Sequence, residues 1–168
     1  MPYKVLPYNR GNAVDYATRW ALSRNPSYYD FDKIGGDCTN FMSQCLYAGS
    51  KIMNHTPVTG WYYYSINQRS PSWTSVEYFH KFLMNNKGPG PFGSEVPIEE
   101  TKIGDIVQLA TEHNYFHHAC MIISKFHPSD LSQIFIACHT YDSLMRPLST
   151  YDIRKMRCIK IDGVRTSV

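Results

Sequence analysis

No run in this 168-residue chain approaches the ~18 apolar residues that a membrane helix needs, so insertion into a bilayer is not expected. No pair of cysteines shows C-x-x-C spacing, and the five cysteines are an odd number, which argues against a disulfide framework and leaves at least one thiol free. Charge is sparse and scattered. Seventeen Lys and Arg against fourteen Asp and Glu leave a formal +3, with no basic face of the kind nucleic acid requires. So small a charge adds little attraction to an anionic polymer such as a bacterial wall. Repeats, low-complexity tracts and linker-like stretches are absent too, so one domain over residues 1–168 is the expectation. The opening residues, Met1-Pro2-Tyr3-Lys4-Val5, lack the charged-then-apolar layout of a secretory signal. An exported, wall-associated protein would then carry its signal outside this chain, and a cytoplasmic location is the alternative.

What is present is apolar and aromatic. A hydrophobic share of 43% and an aromatic share of 14% exclude disorder, and some of the thirteen tyrosines are expected to line a surface groove. Ala13, Val14, Ala17, Trp20 and Ala21 form one stripe of a helix over residues 10–24, stopped by Asn25-Pro26. A later stripe of Trp73, Val76, Phe79 and Leu83 predicts a helix capped by Ser72 and ending near Asn85-Asn86. Residues 87–102, with three prolines and three glycines, read as loop. Beyond them the pattern changes to short apolar runs at Ile106–Ala110, Ala119–Ser124, Gln133–Cys138 and Met156–Ile161. Helices first and strands later predicts an α+β fold, with N-terminal helices packed on a C-terminal antiparallel sheet.

Chemistry concentrates in Gly35-Gly36-Asp37-Cys38-Thr39-Asn40-Phe41. After Cys38 the apolar residues Phe41, Met42, Cys45 and Leu46 follow helical spacing, so the cysteine stands in the first turn of a helix that runs to Gly49. Asp37 is the expected N-cap and the two glycines allow a sharp approach. At the positive end of a helix, among unpaired N–H groups, a thiol is pushed toward thiolate. Cys45, Cys120 and Cys138 lie in apolar runs and read as small buried hydrophobes.

A nucleophilic cysteine needs a base, and the base needs an orienting group. His118, at the mouth of the run Ala119-Cys120-Met121-Ile122-Ile123, is the best-placed of seven histidines. Its neighbour His117 is the alternative, because a strand sends the two rings to opposite faces. His139, directly after Ile136-Ala137-Cys138, is the expected orienting group, with Asp142 as rival or support. His113 and His117 are four apart, but that spacing suits zinc only on a helix, and here a strand follows. No metal and no cofactor are expected. Tyr8, Trp61 and Tyr62 are candidate walls for a substrate. An equal reading of the Trp61–Tyr64 cluster is that its rings merely cover a helix.

The order of cysteine at a helix start, histidine on a strand and a polar residue on the next strand resembles the NlpC/P60 and CHAP papain-like hydrolases. Asp37-Cys38-Thr39-Asn40-Phe41 resembles their Asp-Cys-Ser-Gly-Phe element, and Ile103-Gly104-Asp105-Ile106-Val107-Gln108 resembles the strand preceding their histidine. From Tyr8-Asn9-Arg10-Gly11 to His139-Thr140-Tyr141-Asp142 the chain is similar to the bacterial putative amidase domain family in that superfamily. The resemblance implies a papain-like fold and a Cys–His hydrolase of amide bonds, typically in peptidoglycan peptides. Cys38 then matches the nucleophile, His118 the base and His139 the third position. A peptide or peptidoglycan fragment would be the substrate. A wall-binding or partner-binding module on the same fold and a Cys–His acyltransferase are the competing readings.

Overall fold

The computed structural model describes residues 2–168. Strand β1 (Tyr3–Leu6) leads into α1 (Arg10–Trp20) and α2 (Cys38–Ser50). A small hairpin of β2 (Tyr63–Ser65) and β3 (Gln68–Arg69) precedes the short α3 (Pro71–Thr74) and α4 (Val76–Asn85). The rest is mainly sheet: β4 (Gly90–Val96), β5 (Ile106–Ala110), β6 (His118–Lys125), β7 (Ile134–Cys138), β8 (Ser143–Pro147) and β9 (Lys155–Ser167). The fold is α+β. Its main sheet runs β1-β9-β5-β6-β7-β8, with β4 also on β9, and every one of these pairings is antiparallel.

Alternation along the strands divides the core in two. Ile106, Ala119, Met121, Ala137 and Ile159 face the helices, where they meet Ala13, Ala17, Phe41, Met42 and Leu46. Val107, Cys120, Ile122, Ile136, Cys138 and Cys158 face the other way, under Ile98 and Leu148 from two 3₁₀ turns. This alternation is the period-2 consequence of pleating.

Four local expectations change. Helix α1 stops at Trp20 instead of residue 24, because the Trp20 carbonyl accepts from both Ser23 N–H and the His139 ring. The expected third helix is broken at Ser75, whose hydroxyl caps α4 by accepting from Tyr78 N–H, and Ser72 lies inside α3. Residues 90–96 are strand, not loop. As an outer strand paired only with β9, β4 tolerates Pro91 and Gly93, which a central strand would not. Helix α2 passes through Gly49 and ends at Lys51 in the left-handed region, φ 62°.

Candidate active site

The start of α2 is held by three segments at once. Gly35 and Gly36 adopt φ 83° and 98°, which only glycine does without strain, and they turn the chain into Asp37. Asp37 is the N-cap residue of α2 as expected, its carbonyl accepting from Phe41 N–H at 3.0 Å, but its side chain makes no capping hydrogen bond. Instead Oδ1 accepts from Phe31 N–H and Asn40 Nδ2, both at 2.8 Å, while Oδ2 lies 2.5 Å from His139 Nδ1. Asp37 N–H donates to Thr140 Oγ1 at the tip of the β7–β8 hairpin, 3.0 Å away. First-turn N–H groups of α2 are thus left without a side-chain acceptor from Asp37.

Cys38 is the first residue of α2 and is 7% exposed, against 0–2% for the other four cysteines. Its Sγ lies 3.9 Å from the carbonyl oxygen of His117 and 3.9 Å from Thr39 Oγ1, against the first residues of β6. Burial pushes the thiol pKa up, partly offset by the Ala119 backbone N–H and the Thr39 hydroxyl. A helix start by itself pushes a thiol toward thiolate, the reverse of what is found here. The desolvation that comes with a nearly closed site outweighs the helix dipole.

Each expected partner has a definite place. His118 starts β6, is 8% exposed, and turns its Nε2 toward Tyr151 Oη at 3.4 Å. Burial, with His117 and Arg146 nearby, lowers its pKa to about 4, so the ring is neutral at pH 7. His117 points elsewhere: its Nε2 accepts from Thr111 N–H at 3.1 Å. The two Nε2 atoms thus have different partners, but His117 precedes β6 and both residues line one cavity, so the expected split onto opposite strand faces does not hold.

His139 does not orient His118. Its Nδ1 faces Asp37 and its Nε2 donates to the Trp20 carbonyl at 2.8 Å, while its ring stacks on Phe41 with centroids 3.8 Å apart. Both nitrogens are committed to the start of α2 and the end of α1. Nor does Asp142 fill the role, since its carboxylate accepts from both terminal nitrogens of Arg24, at 2.8 and 3.1 Å.

The group that does touch the His118 ring is Tyr151, which the sequence reading missed. Its hydroxyl also lies 3.3 Å from Cys138 Sγ, and Arg146 covers its ring at 3.6 Å. Tyr151 stands thirteen residues past Cys138, after a 3₁₀ turn, and no local pattern marks it. Together His117, His118, Thr140, Arg146 and Tyr151 line a cavity of about 610 Å³.

The proposed substrate walls lie elsewhere. Trp61 is fully buried, donating its indole N–H to Ser43 Oγ at 3.0 Å and packing on Trp73 with centroids 4.7 Å apart. Tyr8 is 8% exposed and its hydroxyl donates to the Gly104 carbonyl. The Tyr62 hydroxyl accepts from Val58 N–H, supporting a loop. None of the three lines the cavity beside His118. Among the described residues, no group of three or more His, Cys, Asp or Glu side chains is placed to hold a metal ion.

A family described as "Putative amidase domain" matches residues 7–161. The chain is 32% identical over 152 residues to the uncharacterized protein YhbB of Bacillus subtilis, covering 89% of this chain and 47% of that protein. It thus spans about half the length of this curated relative. No solved structure matches.

Proposed function

The chain belongs to the putative amidase domain family, and from that premise we propose that it is a cysteine hydrolase of amide bonds with Cys38 as nucleophile and His118 as base. The family match supports an amide-hydrolysing role in general. The observation that carries the cysteine mechanism is the position of Cys38 Sγ, at the start of α2 and 3.9 Å from the carbonyl oxygen of His117, the residue that precedes His118 at the start of β6.

The raised thiol and the lowered imidazole make the resting pair neutral, a thiol and a free base. His118 takes the Cys38 proton as Sγ attacks the carbonyl carbon, directly or through one water. It returns that proton to the leaving amine as the thioester forms, then activates the water that hydrolyses the thioester. No hydrogen bond joins the ring to Sγ in this structure. Such contacts commonly tighten only when substrate is bound. The backbone N–H of Cys38 is a donor for the oxyanion. Tyr151 takes the third position in place of His139, holding Nε2 so that Nδ1 is the nitrogen left for chemistry.

The papain-like fold, a single catalytic domain and a peptide substrate drawn from peptidoglycan complete this reading, and they rest on the motif resemblance. Digestion of purified peptidoglycan, with products identified by mass spectrometry, tests it. New amine and carboxylate ends should be released by the wild type and not by Cys38→Ala. Undigested peptidoglycan in both reactions would favour the binding-module alternative. Amide exchange onto an added primary amine would identify a transferase.

A further inference from the structure

A second cavity, of about 450 Å³, lies away from the Cys38 site and shares no lining residue with the cavity beside His118. One wall is a face of α4, where Tyr78, Lys81, Phe82 and Asn85 recur at helical i, i+3, i+4, i+7 spacing. The opposite wall is the loop 54–61. That loop is closed at its base by two hydrogen bonds between Asn54 and Trp61, of 2.9 and 2.7 Å, and braced by Thr56 N–H on Asn54 Oδ1. At its tip Val58 sits at φ 65°, a conformation that a β-branched residue adopts only under strain, and Tyr62 Oη holds its N–H. Strain of this kind collects where a protein shapes a surface for a ligand.

The polar groups around the cavity fall into two sets. Asn54, Asn86 and Ser72 are buried and spent on the protein itself. The hydroxyls of Thr56, Thr59 and Tyr78 and the ammonium groups of Lys81 and Lys87 have no protein hydrogen-bond partner among the described residues. No Asp or Glu lines the cavity. The acids nearest in sequence are engaged elsewhere: Glu77 pairs with Arg157 and Glu95 with His80. Tyr78 is 55% exposed and offers its ring. A volume in the range of small-ligand sites, an aromatic ring, clustered hydroxyls and two unopposed cations describe one ligand class.

We propose that this cavity is a binding site for an acidic saccharide. The Tyr78 ring packs on the apolar face of the sugar, Thr56 and Thr59 meet its hydroxyls, and Lys81 and Lys87 take its carboxylate. The rigid loop 54–61 keeps the ordering cost of binding low. The site is independent of the hydrolase reading, because binding is measured without turnover.

Titration of ¹⁵N-labelled protein with N-acetylmuramic acid, followed by amide chemical shifts, tests the proposal. Shifts are expected at residues 56–60 and 78–87. Kd should rise at least tenfold in the doubly substituted Lys81→Met, Lys87→Met protein, whose spectrum elsewhere should match wild type. N-acetylglucosamine, lacking the carboxylate, should bind at least tenfold more weakly, and lactate, lacking the sugar, should do the same. Equal binding of either control, unchanged affinity in the lysine variant, or shifts confined to residues 111–118 and 140–151 would each overturn it.

Discussion

The raised Cys38 thiol and the lowered His118 imidazole come from burial more than from the helix end or from each other. The unfolded His118 ring protonates near its ordinary value of 6.5, while the folded ring refuses a proton until about pH 4. Below 6.5 the unfolded chain therefore binds a proton that the folded chain does not. Stability from this group is complete above that pH and is lost as pH falls toward 4, by on the order of 3 kcal/mol. Urea unfolding at pH 7 and pH 4.5 should show a smaller loss in His118→Gln than in wild type. An equal loss would mean that the ring is not desolvated. For the same reason kcat/KM should fall on the acid side near pH 4, not near 6.5, and Cys38 should alkylate appreciably only above the usual thiol range. The two candidate third residues also separate cleanly. His139→Ala would leave Asp37 Oδ2 with only Arg24 Nε, at 3.8 Å, and open a void beside Phe41, and should cost roughly 3 kcal/mol in a melt. Tyr151→Phe should cost only about 1 kcal/mol of stability while lowering kcat tenfold or more. If His139→Ala melted like wild type and Tyr151→Phe kept full kcat, the assignment of these two roles would be reversed.

Helix α2 is the element on which the site is mounted, and what seats it is close approach at its far end. A Cβ on Gly49 would stand 2.5 Å from Tyr8 Cε1 and 2.6 Å from the Asn9 carbonyl oxygen. Asn9 N–H donates to the Gly49 carbonyl at 3.0 Å, so the segment before α1 is tied to the end of α2. Gly49→Ala gains helix propensity yet should destabilise the protein by about 2 kcal/mol, because backbone must move to admit the methyl group. A denaturant midpoint equal to or above that of wild type would show that the contact is loose. The same packing explains why the Gly at the predicted end of the helix is not the end: it is there for contact, and Lys51 supplies the left-handed cap. Trp73 shows a similar division of labour. The break at Ser75 separates α3 from α4, and the Trp73 indole N–H donates to Asn40 Oδ1 on α2 at 3.0 Å.

Across the whole molecule, a single buried carboxylate joins parts distant in sequence. Asp105, fully buried at the turn before β5, lies 2.7 Å from Arg10 Nη1 at the start of α1, and its Oδ1 also accepts from Ile161 N–H in β9. Arg10 in turn donates to the carbonyls of Ile103 and Ile161, each at 2.9 Å. The first helix, the turn before β5 and the long strand β9 are thereby fixed to one another. Asp105→Ala leaves the partly buried Arg10 unpaired and should cost about 3–5 kcal/mol, lowering the thermal midpoint of the whole protein in one transition. A loss below 1 kcal/mol would show that the ion pair is dispensable to the fold.

Residue order settled the parts of this protein that depend on local pattern. The apolar runs placed β5 at Ile106–Ala110 and nearly all of β6 and β7, because alternation and β-branching act over a few residues. The Gly-Gly-Asp-Cys run placed Cys38 at the first residue of a helix. Tertiary structure decided the rest. Strand β4 and the second half of β9 owe their existence to each other, and pairing across some seventy residues leaves no local trace in a segment rich in proline and glycine. The direction of the Cys38 shift depends on burial, which a helix start does not reveal. The roles of His139 and Tyr151 depend on which oxygen or ring nitrogen lies within 3.5 Å once the hairpin, the helix ends and the 3₁₀ turns have packed together. A hydrogen-bond partner is a matter of distance in space, and sequence spacing fixes that distance only within one helix or one strand.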